Sequence, residues 1–317
     1  MRTRRPTLLH HLEYAGWKTV GAALKIVPRR GMVFIADSVG WLLYGVLRVR
    51  RTVIDEQLRI AFGDSITRSR LNVIGMQAWQ NAVLTFFEFL QPEPLAAVGW
   101  DAFEHREGYA EHVLPLLERG NALILTGHIG NWEALGRLGP ERNFQISAVA
   151  KPMHNPLVNH AILKARARRG LEVLSTAGSL KKIVGAARDG KWVAFLGDQD
   201  ARRHGIFVDF FGQPASTAEG PAYFAWKLNL PLLPAFCVRD RDRHRKLKLV
   251  VLPPIMPDPS QDRDVEIRRI TRLHVEALES VIRQYPGDYF WLHRRWKTKP
   301  KRKGNKHETK AGANPAN

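Results

Sequence analysis

The chain has 317 residues, 44% hydrophobic and 25% charged, which is enough apolar material for a sizeable core and excludes a disordered or fibrous protein. Lys and Arg total 49 against 30 Asp and Glu, a formal +19, so anionic partners are expected: nucleic acid, an acidic membrane face or acidic substrates. A single cysteine excludes an intrachain disulfide framework and a multi-cysteine zinc site, in keeping with a reducing compartment.

The opening residues are basic, but TLLHHLEYAGWKTVGAALKIVPRR (7–30) carries two His, a Glu and two Lys. It lacks the apolar centre and cleavage site of a signal peptide. Gly31–Leu47 is the most apolar early segment, somewhat short of the roughly 20 residues that span a bilayer, and Asp37 interrupts it. Arginines flank it on both sides, and Trp41 and Tyr44 suit the headgroup level. Two readings stand for it: a buried helix of a globular domain, or membrane attachment by insertion or by lying in the interface.

Apolar residues recur at three and four spacing through Leu71–Leu90, which predicts a helix ended by QPEP at 91–94. Beyond Asn121 the texture changes. Short apolar runs at 122–126, 146–150, 192–196, 230–236 and 247–252 alternate with helical stretches at Pro156–Arg169, Leu180–Asp189, Ala218–Leu228 and Val265–Tyr285. That alternation predicts an α/β layered domain. Residues 294–310 hold nine Lys or Arg and one Glu, so 300–317 is expected to be a disordered basic tail.

Three His-x4-acid pairs occur: His128/Glu133, His204/Asp209 and His274/Glu279. A carboxylate beside a histidine makes a general-base pair, because it selects the tautomer and stabilises the imidazolium. His274 and Glu279 lie in a helical pattern where five residues rotate them apart, which reads as a solvated helix surface. His204 and Asp209 flank the extended GIFV. His128 differs, because it follows an apolar strand on a turn built from Gly127, Gly130 and Asn131, where backbone reversal brings i and i+5 together. The following helix N-terminus offers N–H groups and a positive dipole.

Asp198 and Asp200 directly follow the strand WVAFL, either as turn residues or at a site. Ser216 or Thr217 is expected to cap a helix with Glu219 in its first turn. Phe207, Phe210 and Phe211 read as core ahead of an apolar pocket. Arg166, Arg168 and Arg169 form either a solvated helix end or a phosphate clasp.

Seven segments occur in an order that resembles the bacterial lipid A biosynthesis acyltransferases, the lauroyl/myristoyl family within the wider lysophospholipid acyltransferases. They are RTVIDEQLRIAFGD (51–64), GHIGNWE (127–133), KPMHNP (151–156), RARRG (166–170), GDQD (197–200), FVDFFGQPASTAEGPA (207–222) and FWLHRRWKTKP (290–300). The resemblance implies a layered αβα domain with a mainly mixed or parallel central sheet at 96–299. An N-terminal helical, membrane-associated region (1–95) precedes it and the basic tail (300–317) follows.

The same resemblance implies O-acyl transfer from an acyl thioester, carried by acyl carrier protein with coenzyme A as the alternative carrier, to a hydroxyl of a lipid A precursor or related anionic glycolipid. His128 is then the general base and Glu133 the carboxylate that orients it. Arg166, with Arg168 or Arg169 as alternatives, serves substrate phosphate or the oxyanion; Asp198 and Asp200 shape the site, and Arg294 and Arg295 contact substrate. No metal or cofactor is implied. The expected location is the cytoplasmic face of the inner membrane, single-pass or peripheral, facing the inner leaflet. Other acceptors remain open (phosphatidylinositol mannoside, ornithine lipid, lysophospholipid), and the net charge keeps a nucleic-acid-binding protein as the rival class, although no nucleic-acid motif is visible.

Overall fold

The computed structural model describes residues 6–64, 66–91, 103–176, 179–240 and 246–300. Four helices come first: α1 (Leu8–Ala23), α2 (Arg29–Trp41, continued by a π-helical turn at Leu42–Val46), α3 (Arg51–Phe62) and α4 (Arg68–Leu90). The Thr7 hydroxyl accepts the His10 N–H while the His10 ring accepts the Thr7 N–H, a reciprocal cap that starts α1. Thr67 caps α4 in the simpler way, through the Arg70 N–H.

Next come β1 (Phe103–Glu107), α5 (Leu114–Arg119), β2 (Leu123–Thr126), α6 (Trp132–Glu141), β3 (Ile146–Ala150), α7 (Pro156–Arg168), β4 (Glu172–Ser175), α8 (Ser179–Arg188) and β5 (Trp192–Leu196). A hairpin of β6 (Ile206–Phe210) and β7 (Gln213–Thr217) leads to α9 (Gly220–Leu228), β8 (Leu232–Arg239), β9 (Leu247–Val251) and α10 (Arg263–Gln284). The main sheet runs β1-β9-β8-β2-β5-β3-β4, parallel at every pairing except β8–β9. Strands buried on both faces read as unbroken apolar runs, and β2 and β8 are buried at every residue.

Alternate strand residues serve opposite layers. Ile124 and Ala235 pack with Leu135 and Leu138 of α6, whereas Leu123, Leu125 and Phe195 pack with Ile183 of α8, Phe224 of α9 and Ile270 of α10. A third core joins Ile54 and Leu58 of α3 and Ile74 and Ala78 of α4 to Phe210, Leu278, Trp291 and Trp296. The sheet is thus sandwiched between helices, and the N-terminal helices share a core with its C-terminal segment.

Gly31–Leu47 combines features of both sequence readings. Met32, Val33, Ala36 and Tyr44 are buried, while Phe34, Trp41, Leu42, Val46 and Leu47 are exposed. No single helix among the described residues is long and apolar enough to cross a membrane; Arg29–Val46 with Arg51–Phe62, bent by 89°, meet that length and composition only as a pair.

Two expectations are corrected. Ser216 and Thr217 do not cap α9; both are buried in β7, because the hairpin takes up the residues assigned to the turn. His274 is not on a solvated face. It is buried on α10, and burial, reinforced by the Arg295 charge, pushes its pKa down to about 3, so it is neutral. Phe210 and Phe211 are core residues, as expected. The 95/96 boundary and residues 301–317 of the basic tail lie outside the described residues.

Candidate active site

The parallel register of β2 and β5 pairs Thr126 with Leu196. Two residues beyond each strand end stand His128 and Asp198, so the topology brings together groups 70 positions apart. The Asp198 carboxylate holds His128 twice: Oδ2 accepts the His128 N–H at 2.9 Å, and Oδ1 lies 2.8 Å from Nδ1.

Burial alone would lower the His128 pKa; the Asp198 carboxylate outweighs it and raises it, with Glu133 adding to the rise and Arg166 opposing it. Burial likewise works against the Asp198 charge, but His128 and the hydrogen bonds around the carboxylate hold its pKa below the usual range. With Asp198 ionised, Nδ1–H donates to it and Nε2 carries the free lone pair. Nε2 has no hydrogen-bond partner among the described residues, and the ring sits beside Trp132 (4.9 Å between centroids) and Phe290 (6.1 Å).

The carboxylate hydrogen-bonded to His128 is therefore Asp198 and not Glu133, a correction to the expected pairing. Glu133 stands in the first turn of α6 and turns to α7, where Arg166 grips it with two bonds, Nε–Oε2 at 3.1 Å and Nη2–Oε1 at 2.6 Å. Arg166 also lies over the Phe89 ring. The neighbouring arginines diverge: Arg169 donates to the Phe89 and Gln91 carbonyls, closing the end of α4, and Arg168 is exposed. Of the three, Arg166 is the one coupled to the His128 turn.

Two of the remaining expected site residues, Asp200 and Arg295, clamp the fold. The Asp200 N–H donates to His293 Nε2 at 3.0 Å, and its carboxylate accepts from Thr298 at 2.9 Å. Arg295 is 2% exposed, with Nη1 on the Ser216 carbonyl and Nη2 on Thr217 Oγ1, so it is not placed to contact substrate. Arg294 is exposed. The segment they secure braces the site: Phe290 N–H donates to the His128 carbonyl at 2.9 Å, and the Tyr289 hydroxyl to the Asp198 carbonyl at 3.3 Å.

The amides of residues 128–131 are all engaged. His128 N–H goes to Asp198, Ile129 to the Gly127 carbonyl, Gly130 to the Asp288 carbonyl and Asn131 to the Cys237 carbonyl. The Asn131 side chain then caps α6 through Ala134 N–H. The first helical positions, Trp132 and Glu133, have N–H groups without intrahelical acceptors, at the positive end of the helix dipole. Among the described residues no group of three or more His, Cys, Asp or Glu is placed to hold a metal ion.

A histidine with a free ring nitrogen, a buried carboxylate behind it, and N–H groups and an Arg166–Glu133 pair at the start of α6 form an arrangement able to take up a proton and to meet a developing negative charge. Residues 2–298 match the family model described as bacterial lipid A biosynthesis acyltransferase. The chain is 29% identical over 305 residues to the lipid A biosynthesis lauroyltransferase of Escherichia coli K12, covering 92% of this chain and 94% of that protein. It is 27% identical over 303 residues to the palmitoleoyltransferase of the same strain, with the same coverage. A phosphatidylinositol mannoside acyltransferase of Mycobacterium tuberculosis is 28% identical over 135 residues, 41% of this chain and 43% of its own length, so the chain matches less than half of that relative. With the family model spanning nearly all of the sequence, the chain belongs to the bacterial lipid A biosynthesis acyltransferase family.

Proposed function

We propose that the protein transfers a fatty acyl chain from a thioester, carried by acyl carrier protein, to a hydroxyl of a lipid A precursor or related anionic glycolipid. The observation that carries this reading is the His128–Asp198 pair, with Nε2 of His128 left free at the end of β2. Nε2 takes the acceptor hydroxyl proton as the oxygen attacks the thioester carbonyl, and Asp198 stabilises the imidazolium. The tetrahedral oxyanion is met by N–H groups of the first turn of α6 and by Arg166, whose bonds to Glu133 leave Nη1 uncommitted among the described residues. Collapse breaks the carbon–sulfur bond, and the imidazolium returns its proton to the departing thiolate.

The test is acyl transfer from acyl carrier protein thioesters to a tetra-acylated lipid A precursor, with phosphatidylinositol mannoside as a parallel acceptor. Wild-type protein is expected to form product with one of them, and His128→Ala to form none while keeping its melting temperature. A His128→Ala variant with full turnover refutes the proposed base.

The chain is further proposed to work at the cytoplasmic face of a membrane. Leu8, Leu9 and Leu12 of α1 and Ile26, Phe34 and Trp41 on or beside α2 are all more than half exposed. Lys18, Lys25 and Arg30 are interspersed with them along the sequence, a composition suited to an interface rich in anionic lipid. Changing Leu9, Leu12, Phe34 and Trp41 together to Ser is expected to lower partitioning onto anionic vesicles by about tenfold or more in a sedimentation assay. Added salt should reproduce only part of that loss.

A further inference from the structure

α4 carries three polar residues on its buried face: Asn81, Thr85 and Glu88, exposed by 2%, 3% and 1%. Their i, i+4, i+7 spacing aligns them along one side of the helix. Burying such groups is costly unless each is hydrogen-bonded, and their partners are concentrated on the turn that holds His128.

The Gly130 carbonyl accepts from Asn81 Nδ2 at 3.1 Å and from Thr85 Oγ1 at 2.9 Å. Asn81 Nδ2 also reaches the Asp288 carbonyl at 2.9 Å, the same carbonyl that takes the Gly130 N–H. The Asn131 side chain donates to Glu88 Oε2 at 2.7 Å. Behind this row lies Arg239, fully buried at the end of β8. It donates to Asn81 Oδ1 at 2.6 Å, to Thr85 Oγ1 at 3.0 Å and to both oxygens of Glu88. Burial works against a charged Glu88, but Arg239 and Arg29 hold its carboxyl below the usual range, so the row is built around a fixed ion pair.

The Thr85 hydroxyl has one proton and spends it on Gly130, while its lone pair faces Arg239; Asn81 likewise gives its amide to the turn and its oxygen to Arg239. The arginine thereby sets the direction in which both side chains donate. An ion pair needed for core stability alone would be complete with Glu88 and Arg239. It does not require two donors on one carbonyl of the turn.

We propose that Thr85 and Asn81, aligned by the Glu88–Arg239 pair, are positioning residues for acyl transfer. They fix the Gly130 peptide, and through it the His128 ring on one side and the first turn of α6 on the other. The inference rests on the reading of His128 as the base. Misplacing a reacting group by about 1 Å costs on the order of 10²-fold in rate, so small relaxations of this turn are expected to be visible.

The experiment compares Thr85→Val, which keeps shape and loses the hydroxyl, with Thr85→Ser, which keeps the hydroxyl. Thr85→Val is expected to lower kcat by about 10- to 100-fold, with KM changed less than about twofold and the acid limb of the pH profile displaced. Thr85→Ser should recover most of the rate. Alongside, the imidazole resonances of His128 are titrated by NMR in histidine-labelled protein, with His128→Ala giving the assignment. Thr85→Val should shift the His128 titration midpoint downward, as its bond to Asp198 loosens.

A folded Thr85→Val protein with wild-type kcat and an unmoved His128 midpoint overturns the proposal, as does a loss that appears only in KM. If Thr85→Val does not fold, Thr85→Ala takes its place with the same criteria. If His128→Ala proves fully active, the base assignment has failed. The NMR midpoint then decides separately whether α4 positions the turn.

Discussion

Replacing Asp198 by Asn is expected to lower kcat by roughly 10²- to 10⁴-fold, the range that a positioned general base contributes. The effect has two parts. The carboxylate selects the tautomer of His128 through Nδ1 at 2.8 Å, whereas an asparagine amide is able to donate to Nδ1 and place the proton on Nε2, where it blocks proton abstraction. The carboxylate also raises the His128 pKa against a burial effect that lowers it.

The sign of the pH dependence follows from that shift. A histidine acting as the proposed base works when neutral, so kcat/KM in the wild type is expected to fall as pH drops through a value above the ordinary 6.5 of histidine. In Asp198→Asn the raising charge is gone and burial dominates. The residual activity should then persist to lower pH, with its acid limb displaced downward. Glu133→Gln is the comparison. It weakens the Arg166 pair and should lower the rate, yet it leaves Nδ1 bonded to Asp198 and should move the limb less. A pH profile in which Glu133→Gln moves the limb more than Asp198→Asn would return the orienting role to Glu133.

That contrast shows where the sequence was legible. His128 stood out because an apolar strand ran into GHIGN, and a turn with those glycines has few structural uses. Asp198 is also legible, as a strand-end residue of a candidate site, but its pairing with His128 is not, because i+5 proximity within the turn offers Glu133 instead. What decides the partner is that β2 and β5 are neighbours in the sheet, which no local pattern reveals.

Four apolar strands match their expected limits to within a residue, since their apolar runs leave a continuous signal, whereas β8 lies two to three residues beyond the expected 230–236. Edge strands β1 and β4, with sequences FEHRE and EVLS, were missed because one exposed edge and a few polar side chains remove that signal. The α4 polar row was hidden for another reason. Asn81, Thr85 and Glu88 look like ordinary breaks in an apolar pattern until Arg239, 151 residues beyond Glu88, is brought against them.

The turn's dependence on backbone geometry leads to the second large effect, at Gly130. Its φ is +57°, in the left-handed region, which costs a residue with a side chain about 1–3 kcal/mol. Space is the harder constraint. A Cβ on Gly130 would lie 1.8 Å from the Cys237 carbonyl oxygen and 2.7 Å from Val238 Cα, both backbone atoms of β8 that no rotamer change moves aside. The turn would have to shift, breaking the Asn131 N–H bond to Cys237 and the two α4 bonds to the Gly130 carbonyl together.

Gly130→Ala is therefore expected to destabilise the protein by about 3 kcal/mol or more, the backbone strain adding to lost hydrogen bonds. In whatever fraction folds, kcat should drop at least 10²-fold, because the His128 ring moves with the turn. Gly185→Ala is the control. Nothing lies within 4 Å of a Cβ there, and the residue sits inside α8, so alanine should be neutral or stabilise by about 0.4–1 kcal/mol with kcat unchanged. Thermal melting and kcat measured on both variants separate the two cases, and a Gly130→Ala protein that melts and turns over like the wild type would show that the turn does not set the site.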